Sequence, residues 1–268
     1  MLKLGINLDV SNKEYHDDRE YISSSGIKKL FHDELAYEDE YINGNKVSKQ
    51  SNGLDEGTVT HTAILEPHLY DSTVAIYPEF TKAGNKFHNF QLANPGKIIL
   101  SQSQEMRIKN LLKAYNSRPE AVNMINESEK EFTLCDIIND VKVKIRCDAI
   151  NINKGYIADI KTTGYTAEYE TFKANAYSKM LSYDISAALY CQVAEQIYGK
   201  PFDFYYIVLS KQDYTCEIYK SSEQSNINGR LKIVKALEKL KYFREHGKWP
   251  KQKIETSRKH SNYEIKEL

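Results

Sequence analysis

Two runs between residues 141 and 161 leave this chain little freedom in how it folds. Val141-Lys-Val-Lys-Ile-Arg-Cys-Asp148 alternates apolar and polar residues, and Tyr156-Ile-Ala-Asp-Ile-Lys161 follows across the turn residues Asn151 to Gly155. Period-two alternation is the pattern of a strand with one buried face. With Phe132 to Ile138 before them, these segments predict an antiparallel meander. Residues two apart on a strand share a face, so Asp159 and Lys161 project together with Ile157, while Ala158 and Ile160 project the other way.

That placement is chemically unusual. A carboxylate and an ammonium inside an apolar strand cost several kcal/mol unless they pair or meet a metal. Asp148 ends the preceding strand, so the meander can bring it beside Asp159. Two close carboxylates repel unless a divalent cation lies between them, and oxygen ligands favour magnesium or manganese. Phosphodiester hydrolysis needs a nucleophilic water and charge stabilisation, which metal ions and a nearby lysine supply. The competing reading is a surface hairpin carrying an ordinary Asp–Lys pair, since a bare D-x-K is common by chance.

Two further groups stand out. In Gly57-Thr-Val-Thr-His61 a glycine sits inside a predicted helix, at a cost of about 1 kcal/mol against alanine, which points to close packing there. His61 could ligate a metal, and Glu66 could add a carboxylate; alternatively this is a capped helix with a surface histidine. Tyr183, Ser186 and Tyr190 share one face of an otherwise apolar helix, able to reach phosphate or simply to form its rim.

Around these groups, helices are expected over 23–42, 56–65, 102–116, 118–126, 166–176, 182–198 and 226–246, and strands at 74–77, 202–210 and 214–219. The last helix should bury Ile227, Leu231, Val234, Leu237 and Leu240. Residues 78–96, with Gly84, Pro95 and Gly96, read as a long loop whose Lys82 and Lys86 could meet DNA, as could Lys144 and Arg146. Residues after Trp249 read as a polar tail. The order of elements implies α/β (α+β) architecture, a mixed sheet flanked by helices in one domain over 1–268. Its parts would be a mostly helical stretch to 130, a sheet core over 131–220, and a C-terminal helix and tail.

Four widely spaced cysteines without a C-x-x-C exclude a signalled zinc or iron–sulfur site and fit reduced cytoplasmic thiols. No apolar run approaches a membrane span. Formal charge is zero, with 37 basic and 37 acidic residues, against the usual basic balance of nucleic-acid proteins. The charges are unevenly spread: 230–260 holds eleven Lys or Arg against three Glu, and 9–40 holds ten acids against four bases. Such a chain can hold a polyanion on one face, or merely have solvated helix surfaces.

Taken in order, these segments resemble the nuclease domain of phage and prophage exonuclease VIII, the RecE type, in the PD-(D/E)xK superfamily. The similar stretches are Ile22-Ser-Ser-Ser-Gly-Ile-Lys28, Gly57 to Pro67, Ala75 to Phe80, Arg146-Cys-Asp148, Ala158-Asp-Ile-Lys-Thr-Thr163, Tyr183 to Tyr190, and Trp249-Pro250. The resemblance implies a restriction-endonuclease-like core. Asp148, Asp159, Ile160 and His61 would bind Mg2+ or Mn2+, with Glu66 as a further candidate, and Lys161 would be the catalytic lysine. Tyr190 would match the tyrosine of a Q-x-x-x-Y motif. Cys147 stands where the family has proline, and Ser186 where it has glutamine. The resemblance further implies resection of linear double-stranded DNA, a single-strand annealing partner, a ring-shaped homo-oligomer and a bacterial cytoplasmic setting. A non-catalytic DNA-binding or assembly module, or an endonuclease, would use the same core.

Overall fold

In the computed structural model, which describes residues 1–45, 52–179 and 181–250, the meander forms as the pattern requires. The chain opens with β1 (Gly5–Asn7), α1 (Asn12–Asp17), β2 (Ile22–Ser23), α2 (Ser24–His32) and α3 (Glu34–Tyr37), the last running into a π-helical turn at Glu38–Ile42. Next come α4 (Asn52–Leu65), α5 (Tyr70–Thr73), β3 (Val74–Tyr77), α6 (Gly84–Ala93), β4 (Ile98–Ser101), α7 (Gln102–Asn116) and α8 (Pro119–Asn126). The core strands β5 (Glu129–Ile138), β6 (Val141–Asn151) and β7 (Tyr156–Thr163) lead to α9 (Tyr169–Ala176) and α10 (Tyr183–Tyr198). The described part ends with β8 (Asp203–Ser210), β9 (Cys216–Lys220) and α11 (Glu223–His246).

The main sheet runs β1-β5-β6-β7-β8-β9, with β2 added alongside β6. β7 and β8 are parallel, whereas β5, β6 and β7 form the antiparallel meander. The sheet is therefore mixed, with a separate parallel pair β3–β4. One face packs Ile145, Ile157, Phe204 and Val208 against Ile27, Leu30, Leu189, Ile233 and Leu237 from α2, α10 and α11. The other packs Ala158, Ile160, Ile207 and Leu209 against Leu65, Leu111 and Ile125 from α4, α7 and α8. Apolar surface thus closes over both faces, leaving β7 inside a three-layer stack.

Four expectations need correction. The helix expected over 23–42 breaks at Asp33, whose extended backbone (φ −157, ψ 96) ends α2 and whose carboxylate then caps α3 by accepting from the Ala36 amide at 2.9 Å. The stretch 78–96 is not one long loop, because α6 occupies most of it, with Phe87 and Phe90 set edge-on to Tyr77. β1, α1, β2 and β4 carried too little periodicity to be foreseen. α11 is turned from its expected face in its first half: Leu237 and Leu240 are buried as expected, but Ile227 and Leu231 are exposed, and Ser225, Gly229, Ile233 and Ala236 are buried instead. The tail expected after Trp249 lies outside the described residues, apart from Pro250.

Gly229 explains the rotation. A Cβ there would lie 2.1 Å from the Asp184 carbonyl oxygen and 2.6 Å from the Ala188 Cβ, so only glycine lets α11 approach α10 this closely. The contact is locked by Lys232, which donates to the buried Asp184 carboxylate at 2.6 Å. Gly229→Ala gains about 1 kcal/mol of helix propensity but meets backbone, and overpacking of this kind costs about 1–3 kcal/mol. The variant should unfold at lower urea concentration by circular dichroism; equal or higher stability would refute the packing account.

Candidate active site

The ladder between β6 and β7 has only three pairs, Ala149↔Ala158, Ile150↔Ile157 and Asn151↔Tyr156. The next position in register would pair Asp148 with Asp159, and there the strands part. The amide of Ile160 turns to the Asp148 side chain instead, donating to Oδ2 at 2.8 Å. β6 is irregular at the same point. Cys147 and Ile150 join one apolar cluster while Ala149 joins the other, so side-chain alternation slips at Asp148. Glu131, the β5 residue opposite, holds a left-handed φ of +50, a conformation that strains a non-glycine residue.

Each carboxylate then finds a cation or donor. Lys161 forms an ion pair with Asp159, whose Oδ2 is buried and makes no hydrogen bond of good geometry. His61 on α4 brings Nδ1 to 3.4 Å from Asp148 Oδ2. Gly57 faces β7, where a Cβ would stand 3.4 Å from Thr162 Oγ1, an ordinary van der Waals distance. The helix thus lies on β7, but the packing expected to require a glycine is not seen at this position. Side-chain exposure is 15% for Asp148 and 8% for Asp159, against 29% for His61 and 23% for Lys161, so the carboxylates form the floor and the imidazole and ammonium the rim.

Proton affinities follow from this crowding. Burial, then the Asp159 charge, pushes the Asp148 carboxyl well above the usual carboxylate range. Burial by itself would lower Lys161, but the Asp159 and Asp148 charges outweigh it and raise the ammonium above its ordinary value. His61 is lowered, by burial first and then by Lys161, although the Ile160 backbone acts the other way. Burial also raises Tyr190, which packs edge-on against Phe204 on the same side of the sheet.

The remaining candidate residues are placed differently. The Ile160 side chain is fully buried in the core, so only its backbone is available to the site. Ser186 is buried, with its hydroxyl 3.4 Å from Ser24 Oγ rather than in contact with the acidic pair. Glu66 falls just beyond the end of α4, and no contact joins it to Asp148, Asp159 or His61 among the described residues. Lys144 is buried and donates to the backbone oxygens of Tyr15 and Asp18, so it is not available to a DNA backbone. Arg146 pairs with Glu131 and donates to the Val10 carbonyl at 2.7 Å. Lys82 donates to the Ile99 carbonyl at 3.0 Å, and Lys86 is exposed near Glu79.

Four cations of the basic C-terminal stretch are also engaged. Lys232, Lys239 and Lys241 pair with Asp184, Glu34 and Asp140, and Arg230 with Glu195. Two residues escaped the sequence reading of the site. Glu131 adds negative charge beside Asp148 and His61. Lys28 lies over the Tyr183 ring at 5.1 Å, with Lys161 5.3 Å from the same ring. Burial and the Lys161 charge lower Lys28 to about 7. The Ile22–Lys28 segment was the available signal, but nothing in it gave the lysine a role.

A family model described as "PDDEXK-like domain of unknown function (DUF3799)" matches residues 23–260. The chain belongs to this PDDEXK-like family. A solved structure of a "putative exonuclease" from Eubacterium rectale aligns with a TM-score of 0.67 over 98% of this chain and 96% of that one, at 14% identity. The shared feature at that identity is the fold, a restriction-endonuclease-like mixed sheet flanked by helices. A second structure, SSO0001, covers 79% of this chain and 84% of its own at 13% identity, with a TM-score of only 0.29. No curated protein matches significantly. Among the described residues no helix of this PDDEXK-like chain is long and apolar enough to cross a membrane. All four cysteines are free and buried.

PDDEXK-like proteins typically use divalent metal ions, and the donor chemistry here suits one. Asp148 and Asp159 offer oxygens and His61 a nitrogen, and the buried Asp159 Oδ2 is met by the Lys161 ammonium. Among the described residues no three His, Cys, Asp or Glu side chains close on one point. Lys161 instead supplies the positive charge that Asp159 requires. Because folding raises the Asp148 pKa, the native state resists its ionisation, and stability falls as pH rises from the unfolded carboxyl value through the raised one. Asp148→Asn removes that penalty. Without metal it should be more stable than wild type by about 1 kcal/mol or more at about pH 8, with a smaller gain at about pH 5. Thermal unfolding in chelator at both pH values measures this, and a pH-independent difference would contradict the assignment.

Proposed function

We propose that this chain is a divalent-metal-dependent nuclease that resects linear double-stranded DNA from its ends. The observation that carries the reading is the opposition of Asp148 and Asp159 where β6 and β7 part, with Lys161 two residues further along the same strand. A magnesium or manganese ion, when bound, supplies Lewis acidity toward a phosphate and a more acidic water. Asp148, Asp159, His61 and the Ile160 backbone would hold it. The protein's own contribution is then electrostatic. The Asp–Asp repulsion gives the site a built-in demand for positive charge. Lys161 is protonated at neutral pH because of its acidic neighbours, so it serves as a fixed cation toward a phosphate oxygen rather than as a base in this arrangement. Tyr183, lying against Lys161, borders the same side.

End-dependence is supported by the ordered motif resemblance and by the description of the protein from Eubacterium rectale as an exonuclease, since the fold by itself serves endonucleases equally. On this reading the product is a single-stranded tail for a strand-annealing partner in phage-type recombination. A ring of subunits would hold the duplex without a strongly basic chain, because weak contacts add when several act together.

End-labelled linear duplex and covalently closed circles, each with and without magnesium, test the proposal. Nucleotides should be released from linear DNA only with metal, and circles should survive. Lys161→Ala should lower the rate about 100-fold or more with folding retained by circular dichroism. Undiminished cleavage by that variant would overturn the site assignment, and cutting of closed circles would overturn end-dependence.

A further inference from the structure

A cavity of about 490 Å³ lies beside the acidic site, walled by the start of α4, by α6 and its preceding loop, by β4 and by the first turn of α7. Its size suits a small organic ligand, since such pockets run about 300–1,000 Å³. Its chemistry narrows the class. Gln104 lines the cavity at 2% exposure, and its amide Nε2 is a buried donor without a partner. Its other amide atom, Oε1, is already used, accepting from the Ser101 amide at 3.0 Å in the capping box of α7. A buried donor left over in this way requires explanation, and an acceptor on a bound ligand would satisfy it.

Cations share the wall. Arg107 spends Nε and Nη2 on the buried Glu56 carboxylate, at 3.2 and 2.5 Å, and Nη1 takes no part in that pair. Lys82 and Lys97 also line the cavity, Lys82 standing 4.0 Å from Asp55 and donating to the Ile99 carbonyl, and Lys97 donating to the Asp71 carbonyl at 2.8 Å. Two aromatic rings complete it. Phe87 is fixed edge-on to Tyr77, and Phe80 is 64% exposed, a large apolar face left in solvent at the cavity mouth. Unpaired donors, positive charge and an exposed ring together fit an anion attached to a flat heterocycle.

We propose that this cavity binds one nucleotide of the DNA strand, its phosphate toward Gln104 and Arg107 and its base on Phe80. The inference rests on the nuclease reading and extends it to a substrate subsite away from the reacting phosphate. The connection to the acidic site is short and rigid. Asp55 at the cavity and His61 at the site are six residues apart on α4, about 9 Å along its axis. That is the rise of about two to three stacked nucleotides. Glu56 joins the two places, meeting Arg107 on one side and standing 3.9 Å from Lys211 on the other, and the Lys211 amide donates to Thr163 at the end of β7.

The test is binding of deoxyadenosine monophosphate, and separately of a fluorescent single-stranded oligonucleotide, to the full chain in chelator so that no cleavage intervenes. Gln104→Glu keeps an acceptor for the Ser101 cap but removes the donor and adds a negative charge. Phe80→Ala alters only an exposed ring. Each should weaken both ligands roughly tenfold or more. Phe80→Ala should leave the unfolding midpoint unchanged, whereas Gln104→Glu buries a carboxylate and lowers it, so its binding is measured where circular dichroism shows it folded. The mononucleotide should displace the oligonucleotide. With magnesium present, KM for linear duplex should rise in both variants with kcat nearly constant. Unchanged binding in both variants would overturn the proposal. So would a mononucleotide that binds without displacing the oligonucleotide, because the cavity would then serve free nucleotide alone. An active nuclease with unaltered binding in the variants defeats this inference only, whereas normal nucleotide binding in a chain that never cleaves defeats the nuclease reading.

Discussion

Two carboxylates placed opposite each other across a strand pair repel, and the centre of this molecule is arranged around that repulsion. Had β6 and β7 stayed paired, Asp148 and Asp159 would be cross-strand neighbours, an arrangement that destabilises a sheet. The ladder stops one residue short of them. The freed Ile160 amide goes to Asp148, and the Lys161 ammonium goes to Asp159. The fork in the sheet and the acidic pair are thus one feature. Apolar clusters on both faces of β7 keep the surroundings dry and so strengthen every charge interaction there. A chain selected only for stability would replace such a pair with apolar residues.

Holding that unfavourable group in place falls to the helices. α4 lies against β7 with Gly57 facing Thr162, and His61 stands above Asp148. On the opposite face α11 presses on α10 at Gly229, and α10 carries Tyr183 and Tyr190. Gly229 lowers helix propensity where close approach matters more. The buried Asp184–Lys232 pair fixes the second contact. Breaking such a pair by removing one partner leaves an uncompensated buried charge, so the α10–α11 register is strongly specified.

Strict periodicity made part of this readable from the residues alone. β3 and α7 fall where the pattern placed them, and the meander of β5, β6 and β7 extends the predicted strands by only a few residues. Asp159 and Lys161 share a face because strand geometry leaves no alternative. Tertiary interactions decided the rest. β2 has two residues and exists because β6 offers it an edge at Val143 and Lys144. α6 was hidden by Gly84 and by the glycine and proline that follow it. The buried face of α11 depends on Gly229, which a hydrophobic pattern does not weigh. Lys144 looked like an exposed basic residue on an alternating strand, yet α1 covers it and two backbone oxygens take its charge. The slip at Asp148 and the strained Glu131 could not be seen in a pattern that assumes regular alternation.

Zero formal charge acquires a physical meaning once the ion pairs are traced. Three lysines of the basic C-terminal helix pair with acids contributed by α3, α10 and the β5–β6 turn, so part of the uneven distribution along the sequence is cancelled in space among the described residues. Long-range attraction of a polyanion by this chain is correspondingly weak. Recognition of DNA would then rest on a few cations, chiefly Lys161 at the reacting phosphate and Arg107 at the neighbouring cavity, with the ring faces beside them. Few phosphate contacts mean a shallow dependence of affinity on salt, because that slope follows the number of counterions released. A nuclease built this way gains little from binding duplex at random. On the proposed reading, its selectivity would come from the shape of the site and from how many subunits engage one duplex, which would favour action at an end over capture along the length of the DNA.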